Sequence, residues 1–301
     1  MAPPTRLPDT FEQPAALRFL ERMKAGWPLQ SVRARDGDGA GILPPKHEDH
    51  VRLVTLNLAH GRNRGHQALQ PRSRLERHLG TVAELLSASN ADVVALQEAD
   101  RPSAWSGNFD HVETLSRLSG ISHFYGGHHS HPAWERFRLP MSYGTALLSR
   151  YPLDRAESHR FSQSWRDTKG FVVATVRIPH WQNLELDMVS LHLDFLTPRM
   201  RRRQVSRLID TLQERGHPVV LLGDMNCTWQ EPQTLELLSR ELRLHAHEPS
   251  EHRPTYPAYR PLRRVDWILI SDDLAFGDAH LALPHQVSDH LPVVADLVRR
   301  G

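Results

Sequence analysis

The sequence predicts a layered α/β or α+β domain that is built around a large sheet core. Many short apolar runs of the strand type recur along the chain from residue 51 onward. A few segments with apolar residues at helical spacing lie between these runs, and the chain shows no internal repeat. A mixture of many strands with a few intervening helices favours this fold class.

Composition narrows the class of protein without identifying it. The chain has 301 residues, of which 39% are hydrophobic and 24% charged, and its formal net charge is +2. This length suits one large domain or two small ones, and so small a net charge does not by itself indicate a nucleic-acid binder. The single cysteine, Cys227, excludes an intrachain disulfide and fits a reducing compartment. Because no apolar run approaches about 20 residues, we expect a cytoplasmic protein with no transmembrane segment.

The first 50 residues differ in composition from the rest of the chain. They are rich in proline and charge, with turn signals at 36–39 and 44–45. Apolar residues at helical spacing predict one short helix over 14–24. We therefore expect residues 1–50 to form an N-terminal extension that wraps the domain or is partly mobile, and residues 51–301 to form the domain itself.

Regular structure is predicted to begin at Val51, where apolar and polar residues alternate as in a half-buried strand. The first helix of the domain carries its apolar residues at helical spacing from Leu75 to Leu86. A later helix is predicted to end at Gly216, since glycine commonly follows a helix. Strands are predicted over 51–59, 93–96, 143–149, 170–178, 184–193, 218–223, 265–271 and 292–298, and helices over 73–89, 108–119, 199–215 and 231–240.

Polar residues punctuate the ends of these predicted strands. Polar groups are costly to bury, and ligand sites in α/β proteins tend to lie at strand ends. A turn-capping role explains any one such residue, but six sites in similar positions make an all-structural explanation much weaker. Carboxylates, an amide and an imidazole brought together suit a metal-assisted hydrolase. The six sites are Asn57, Glu98, His192 with Asp194, Asp224 with Asn226, Asp266, and Asp289 with His290.

Six stretches carry these residues and a seventh lies among them. The six are TLNLAHG (55–61), ALQEAD (95–100), SLHLD (190–194), LLGDMN (221–226), RVDWILIS (264–271) and SDHLPVVADL (288–297), and the seventh is YGTALLSRYPL (143–153). In order and spacing they resemble the motifs of the endonuclease/exonuclease/phosphatase superfamily, which includes DNase I-like nucleases and neutral sphingomyelinases. The resemblance covers residues 51–298. It implies an α+β fold, a four-layer α/β/β/α sandwich in which helices flank two packed, mostly antiparallel β-sheets, with the active site at one end.

The resemblance also implies a metal site. It places metal ligation on Asn57 and Glu98, with Asp289 close by. Mg²⁺ prefers oxygen ligands and takes few protein ligands beside water and a substrate phosphate, so a carboxylate and an amide oxygen suit it. We expect Mg²⁺ as the cofactor, with Mn²⁺ as the alternative.

Four further residues correspond to the family's catalytic group. Asp224 would accept the proton of the attacking water or orient the water, and Asn226 would hold the water or donate to a phosphate oxygen. Asp266 would hydrogen-bond one ring nitrogen of His290, which would face the scissile phosphate as a cation. The alternative is a neutral His290 that is itself the base.

Contacts to the substrate are expected from the end of the predicted strand 184–193 and from the chain that follows it. The resemblance implies that His192, in this strand, is a further catalytic residue. His192 would donate to the phosphoryl group, and Asp194 would position His192 or cap the loop. Arg199 and Arg202 lie in the arginine-rich start of a predicted helix. They would attract substrate phosphates or form an ordinary solvated helix face.

Two departures point away from abasic-site repair. Ala59 stands where apurinic endonucleases typically carry an acidic residue, and Ala99-Asp100 replaces the Thr-Lys common in those enzymes.

The expected activity is Mg²⁺-dependent hydrolysis of a phosphodiester by in-line attack of an activated water, in an enzyme of the endonuclease/exonuclease type. The partner would then be a nucleic acid. One alternative is a sphingomyelinase-like or other phospholipid or small-molecule phosphodiesterase. Another is an inactive binding protein on the same fold, which the complete set of site residues argues against.

Two loop regions carry further alternatives. The histidine-rich segment 123–131 is interpreted as a surface loop rather than a transition-metal site. Trp134, Phe137 and Trp165 would stack bases, touch a lipid surface or pack onto the core.

Overall fold

Two β-sheets pack face to face through side chains that alternate along their strands. The computed structural model describes residues 45–63, 70–127, 129, 142–161, 169–231 and 234–300, and in this part of the chain each sheet has six strands. The core between the sheets includes Leu53 and Val93 from one sheet and Met188, Val220 and Ile268 from the other, all fully buried. The predicted sheet core is therefore the apolar layer between two sheets.

The first sheet consists of β1 (Val51–Asn57), β2 (Val93–Asp100), β3 (His123–Gly126), β4 (Tyr143–Ser149), β11 (Leu274–Ala282) and β12 (Val293–Arg299). Their spatial order is β11-β12-β1-β2-β4-β3. Among these six strands, β1 and β2 pair in parallel and the other neighbours are antiparallel.

The second sheet repeats this pattern. It consists of β5 (Asp154–Arg160), β6 (Gly170–Ile178), β7 (Leu184–His192), β8 (Val219–Asp224), β9 (Leu244–Ala246) and β10 (Asp266–Ser271). The order is β5-β6-β7-β8-β10-β9, and here β7 and β8 form the parallel pair. Both sheets are thus mixed and mostly antiparallel, as the resemblance implied.

Helices flank the paired sheets. They are α1 (Arg72–Ala88), α2 (His111–Ser119), α3 (Pro198–Arg215) and α4 (Leu235–Leu242). Val205 of α3 and Leu235 of α4 pack with Val189 and Leu221 on the outer face of the second sheet. On the other side, α1 packs with α2, and α2 contacts the first sheet. The four-layer α/β/β/α sandwich is confirmed.

Four strands, β3, β5, β9 and β11, were not predicted, and each lies at the edge of a sheet. The interpretation of 123–131 as one loop was wrong for 123–126, which pair with β4 as β3. The predicted helix over 14–24 lies outside the described residues, as do Trp134, Phe137 and Trp165 and most of the expected N-terminal extension. In the described part of the chain, no helix is long and apolar enough to cross a bilayer.

Candidate active site

Four strands of the two sheets place a polar side chain at one end of the apolar core. The inward face of β1 ends with Leu53, Thr55 and Asn57. The inward face of β8 consists of Val220, Leu222 and Asp224. By the same alternation β7 ends at His192, and β10 begins at Asp266. These residues therefore continue the core layer, and the two sheets together hold the site.

His290 and Asp266 form a buried ion pair in this site. Nδ1 of His290 lies 2.9 Å from Oδ2 and 3.1 Å from Oδ1 of Asp266. Burial opposes protonation of the ring, but the charges of Asp266 and Asp224 outweigh it and raise the pKa of His290 to about 10. His290 is therefore an imidazolium at neutral pH, and its Nε2 lies 3.8 Å from Oδ2 of Asp224.

Asp224 is held by uncharged donors. Its Oδ1 accepts the backbone N–H of Asn226 at 2.9 Å, and its Oδ2 accepts the side-chain amide of Asn57 at 3.1 Å. Burial raises the pKa of Asp224 to about 6, although the charge of His290 opposes this shift. A carboxylate whose pKa approaches neutrality is suited to accept a proton from water.

Asn226 and Asp194 both hydrogen-bond to the backbone of the loop that follows β7. Asn226 has a φ of 52°, a left-handed conformation that asparagine tolerates, and its Nδ2 donates to the carbonyl of Leu193 at 3.0 Å. Oδ1 of Asp194 accepts the backbone N–H groups of Leu196 and Thr197 at 2.9 and 3.0 Å. Asp194 therefore caps the loop, one of the two roles that the sequence allowed.

His192 lies between a cation and a carboxylate. Nζ of Lys169 is 2.8 Å from its Nε2 and 3.3 Å from its Nδ1, and Oδ2 of Asp224 is 3.4 Å from its Nε2. Burial and the charge of Lys169 lower the pKa of His192 well below its ordinary value. The imidazole is therefore neutral and accepts a hydrogen bond from the ammonium group.

Glu98 lies at an irregularity near the end of β2. Its φ is 50°, and the pairing of β2 with β4 changes register between residues 96 and 99. Its Oε2 is 3.2 Å from Nε2 of His60, and its Oε1 is 3.6 Å from Nζ of Lys169. Burial opposes ionisation, but the charges of His60 and Lys169 lower the pKa of Glu98 far below its ordinary value. Glu98 is thus a carboxylate.

The oxygen atoms of Asn57, Glu98 and Asp289 fit a hard divalent cation. Burial raises the pKa of Asp289; His290 opposes the shift, and the negative charge of Glu98 adds to it. A divalent cation would relieve this repulsion between two carboxylates. Oδ1 of Asn57 accepts the backbone N–H of Ala59 at 3.0 Å, which orients the amide.

A second group could also hold a divalent metal. Donor atoms of Asp224, Asp266 and His290 all lie within 4.8 Å of one another. Nδ1 of His290 is already bonded to Asp266, so the ring could reach a metal only through Nε2, and Mg²⁺ prefers oxygen ligands to imidazole.

His60 and Lys169 belong to the site but were absent from the sequence prediction. Nδ1 of His60 lies 2.8 Å from Oδ1 of Asp100. Although burial opposes it, the charges of Glu98 and Asp100 raise the pKa of His60. The only sequence signals were positional, since His60 lies within the TLNLAHG stretch and Lys169 directly precedes a predicted strand.

The arginine-rich start of α3 divides into two kinds of residue. Arg199 and Arg202 are exposed. Arg201, between them, is buried, pairs with Glu231 at 2.7 Å and donates to the carbonyl of Asp194 at 3.1 Å. Arg201 therefore stabilises the loop after β7 through its hydrogen bond to Asp194, while Arg199 and Arg202 are exposed to solvent.

The paired sheets, the flanking helices and the polar cluster at one end define a DNase I-like class of protein. The model of the Endonuclease/Exonuclease/phosphatase family matches residues 54–290, and the chain belongs to this family. Members of the family are generally hydrolases that act on phosphoester bonds.

Relatives of the chain include both a curated protein and solved structures. The chain is 27% identical over 228 residues to "Uncharacterized protein YbhP" of Escherichia coli (strain K12), a match that covers 69% of this chain and 83% of YbhP. An endonuclease/exonuclease/phosphatase from Beutenbergia cavernae DSM 12333 superposes with a TM-score of 0.67 at 19% identity, covering 84% of this chain and 72% of that one. Mannosyl-6-phosphatase Bt3783 of Bacteroides thetaiotaomicron VPI-5482 gives a TM-score of 0.64 at 13% identity, covering 82% and 99%. At these identities the solved structures support the fold alone.

Proposed function

We propose that the protein is a Mg²⁺-dependent phosphodiesterase of the endonuclease/exonuclease type. The observation that carries this proposal is the group formed by Asp224, Asp266 and His290, in which a carboxylate with a raised pKa faces a cationic imidazole. Such a pair offers a base for water and a positive charge for the phosphate in one buried place. The lone, buried Cys227 fits the reducing cytoplasm in which we expect the enzyme to work.

The geometry supports Asp224 as the base. Because Asp266 keeps His290 protonated at neutral pH, the imidazole has no lone pair available to take a proton from water. Asp224 accepts that proton while the water oxygen bonds to phosphorus and the ester P–O bond on the far side breaks. The Nε2–H of His290 donates to a phosphate oxygen, and the leaving oxygen departs as an alkoxide that solvent protonates.

Mg²⁺, when bound by Asn57, Glu98 and Asp289, would neutralise charge on the phosphate oxygens. The amide of Asn57 would link Asp224 to the metal. Its Nδ2 donates to Asp224, and its Oδ1, oriented by the backbone N–H of Ala59, would be the ligand.

Nicking of supercoiled plasmid tests the nuclease assignment. We expect relaxed and linear DNA with Mg²⁺, none with EDTA, and none with His290→Ala purified in parallel. The exposed Arg199 and Arg202 would then be tested for the DNA contact. A folded, Mg²⁺-supplied protein that leaves the plasmid intact would contradict the nuclease assignment.

One observation favours a second candidate, a phospholipid or small-molecule phosphodiesterase. Phe195 and Leu196, in the loop directly after β7, are 63% and 69% exposed. Large apolar side chains so close to a catalytic histidine suit an apolar substrate group. Hydrolysis of sphingomyelin vesicles with the plasmid left intact would favour this candidate.

A further inference from the structure

Lysine is rare in this chain. Of its 37 lysine and arginine residues, only Lys24, Lys46 and Lys169 are lysines. The chain therefore uses arginine as its general cation, and Lys169 of the site is an exception. The two groups differ chemically, because an ammonium is a compact charge with rotatable donors whereas a guanidinium is a rigid planar fork.

The pairing of β6 with β7 brings Lys169 to the site. Gly170 pairs with His192, so the preceding residue lies beyond the last residue of β7. Its side chain is 14% exposed and lines a cleft of about 140 Å³ together with Glu98, His192, Trp105 and Phe195. The ammonium group thus opens onto the same cleft as a proposed metal ligand and a predicted phosphate donor.

The contacts of Lys169 alter the role of His192. Nε2 of His192 lies 2.8 Å from the ammonium and accepts its hydrogen bond, so this nitrogen is not free to donate to a phosphate. Nζ of Lys169 is also 3.6 Å from Oε1 of Glu98 and 5.9 Å from the centre of the Phe195 ring, so the ammonium lies among the side chains that line the cleft.

We propose that Lys169 is a catalytic residue that binds a non-bridging oxygen of the substrate phosphate from this cleft, with His192 fixing the direction of its ammonium group. The inference rests on the proposed function, since it concerns the same site. Lys169 would stabilise charge that develops on the phosphate during attack, while His290 acts from beside Asp224.

The first test compares Lys169→Met with Lys46→Met. Lys46 is a matched control because it is also 14% exposed and pairs with a carboxylate, that of Asp92, at 2.5 Å. We expect Lys169→Met to lower kcat/KM for a phosphodiester by about 10²- to 10³-fold and Lys46→Met to leave it within about threefold. Lys169→Arg should restore part of the loss, and the Mg²⁺ concentration for half-activation should stay unchanged.

A normal kcat/KM in Lys169→Met overturns the inference. A loss of activity that excess Mg²⁺ repairs also overturns it, because that result assigns Lys169 to support of the metal site.

The second test needs no variant and no turnover. Lysine acetylation by acetic anhydride is measured by peptide mass spectrometry, with and without saturating inorganic phosphate in the presence of Mg²⁺. We expect phosphate to slow labelling of Lys169 severalfold while labelling of Lys46 stays constant. Equal labelling of Lys169 in both samples overturns the inference. If the wild type hydrolyses no phosphoester, the proposed function fails, and phosphate protection of Lys169 still decides whether this residue binds phosphate.

Discussion

Asn57 of the first sheet donates its side-chain amide to Asp224 of the second sheet across 3.1 Å. A second hydrogen bond also joins the two sheets, because Nε2 of Gln97 in β2 donates to Oγ of Ser190 in β7 at 3.2 Å. The two sheets are therefore hydrogen-bonded to each other where the apolar core ends and the site begins. A site built in this way on strands is held more rigidly than one built on loops.

The ion pair with Asp266 should control the charge of His290. In Asp266→Asn the imidazole loses its main anionic partner, so a larger share is neutral at neutral pH. We expect kcat to fall by about 10²- to 10³-fold and the alkaline limb of the pH–rate profile to move to lower pH. Steady-state kinetics at several pH values measure both. Asp210→Asn, on the exposed face of α3, is the control. An unchanged alkaline limb in Asp266→Asn would be inconsistent with a cationic His290.

The pH dependence of the wild type follows from the same pair. Asp224 must be ionised to accept a proton, and its pKa is raised to about 6, so kcat/KM should increase as the pH rises through this value. His290 must be protonated, and its pKa is raised to about 10, so activity should fall only above that pH. An acid limb near pH 4, the ordinary range of a carboxyl group, would show that Asp224 is not the titrating base.

His60 should support the metal site through Glu98. Its Nε2 lies 3.2 Å from Oε2 of Glu98, and its Nδ1 is held by Asp100. Residues that orient a metal ligand typically change metal affinity by about 10- to 100-fold when they are replaced. We therefore expect His60→Ala to need about 10 times more Mg²⁺ for half-activation, with kcat largely recovered at saturation. A Mg²⁺ titration of activity measures this, and a lower kcat at an unchanged Mg²⁺ requirement would exclude the assignment.

Gly223 sets how closely β8 approaches β7 beside Asp224. Its φ is 153°, and a Cβ at this position would lie 1.9 Å from the carbonyl oxygen of Leu191. We expect Gly223→Ala to lower the free energy of unfolding by about 3 kcal/mol. Gly80→Ala, in α1 where the added Cβ would meet no atom within 4 Å apart from its chain neighbours and the backbone of its own helix, should raise it by about 1 kcal/mol. Urea denaturation compares the two, and equal stabilities would contradict the close approach.

The sequence predicted the interior strands well and the edge strands not at all. β4 and β6 have the predicted bounds, because an interior strand contains a continuous apolar run. β5 has the polar sequence DRAESHR, since a strand that pairs on one side carries no such run. β3, β9 and β11 are edges as well. Their positions depend on tertiary pairing that local patterns do not reveal.

The candidate site shows the same division. Asn57, Asp224 and Asp266 were found because each interrupts an apolar strand, and the structure brings them together. Lys169 was missed because its role arises only once β6 and β7 pair in register. The choice between the two roles of Asp194 likewise needed the loop geometry.

Hydrolysis of bis(4-nitrophenyl) phosphate by the wild type and by His290→Ala, each with Mg²⁺ and with EDTA, tests the central claim most directly. This diester needs neither a nucleic-acid surface nor a lipid surface, so it reports on the chemistry of the Asp224–His290 group alone. We predict Mg²⁺-dependent release of nitrophenol by the wild type and a loss of about 10²- to 10³-fold in the variant. Equal rates for the two folded proteins, or a wild-type rate that EDTA leaves unchanged, would contradict metal-dependent hydrolysis at this site.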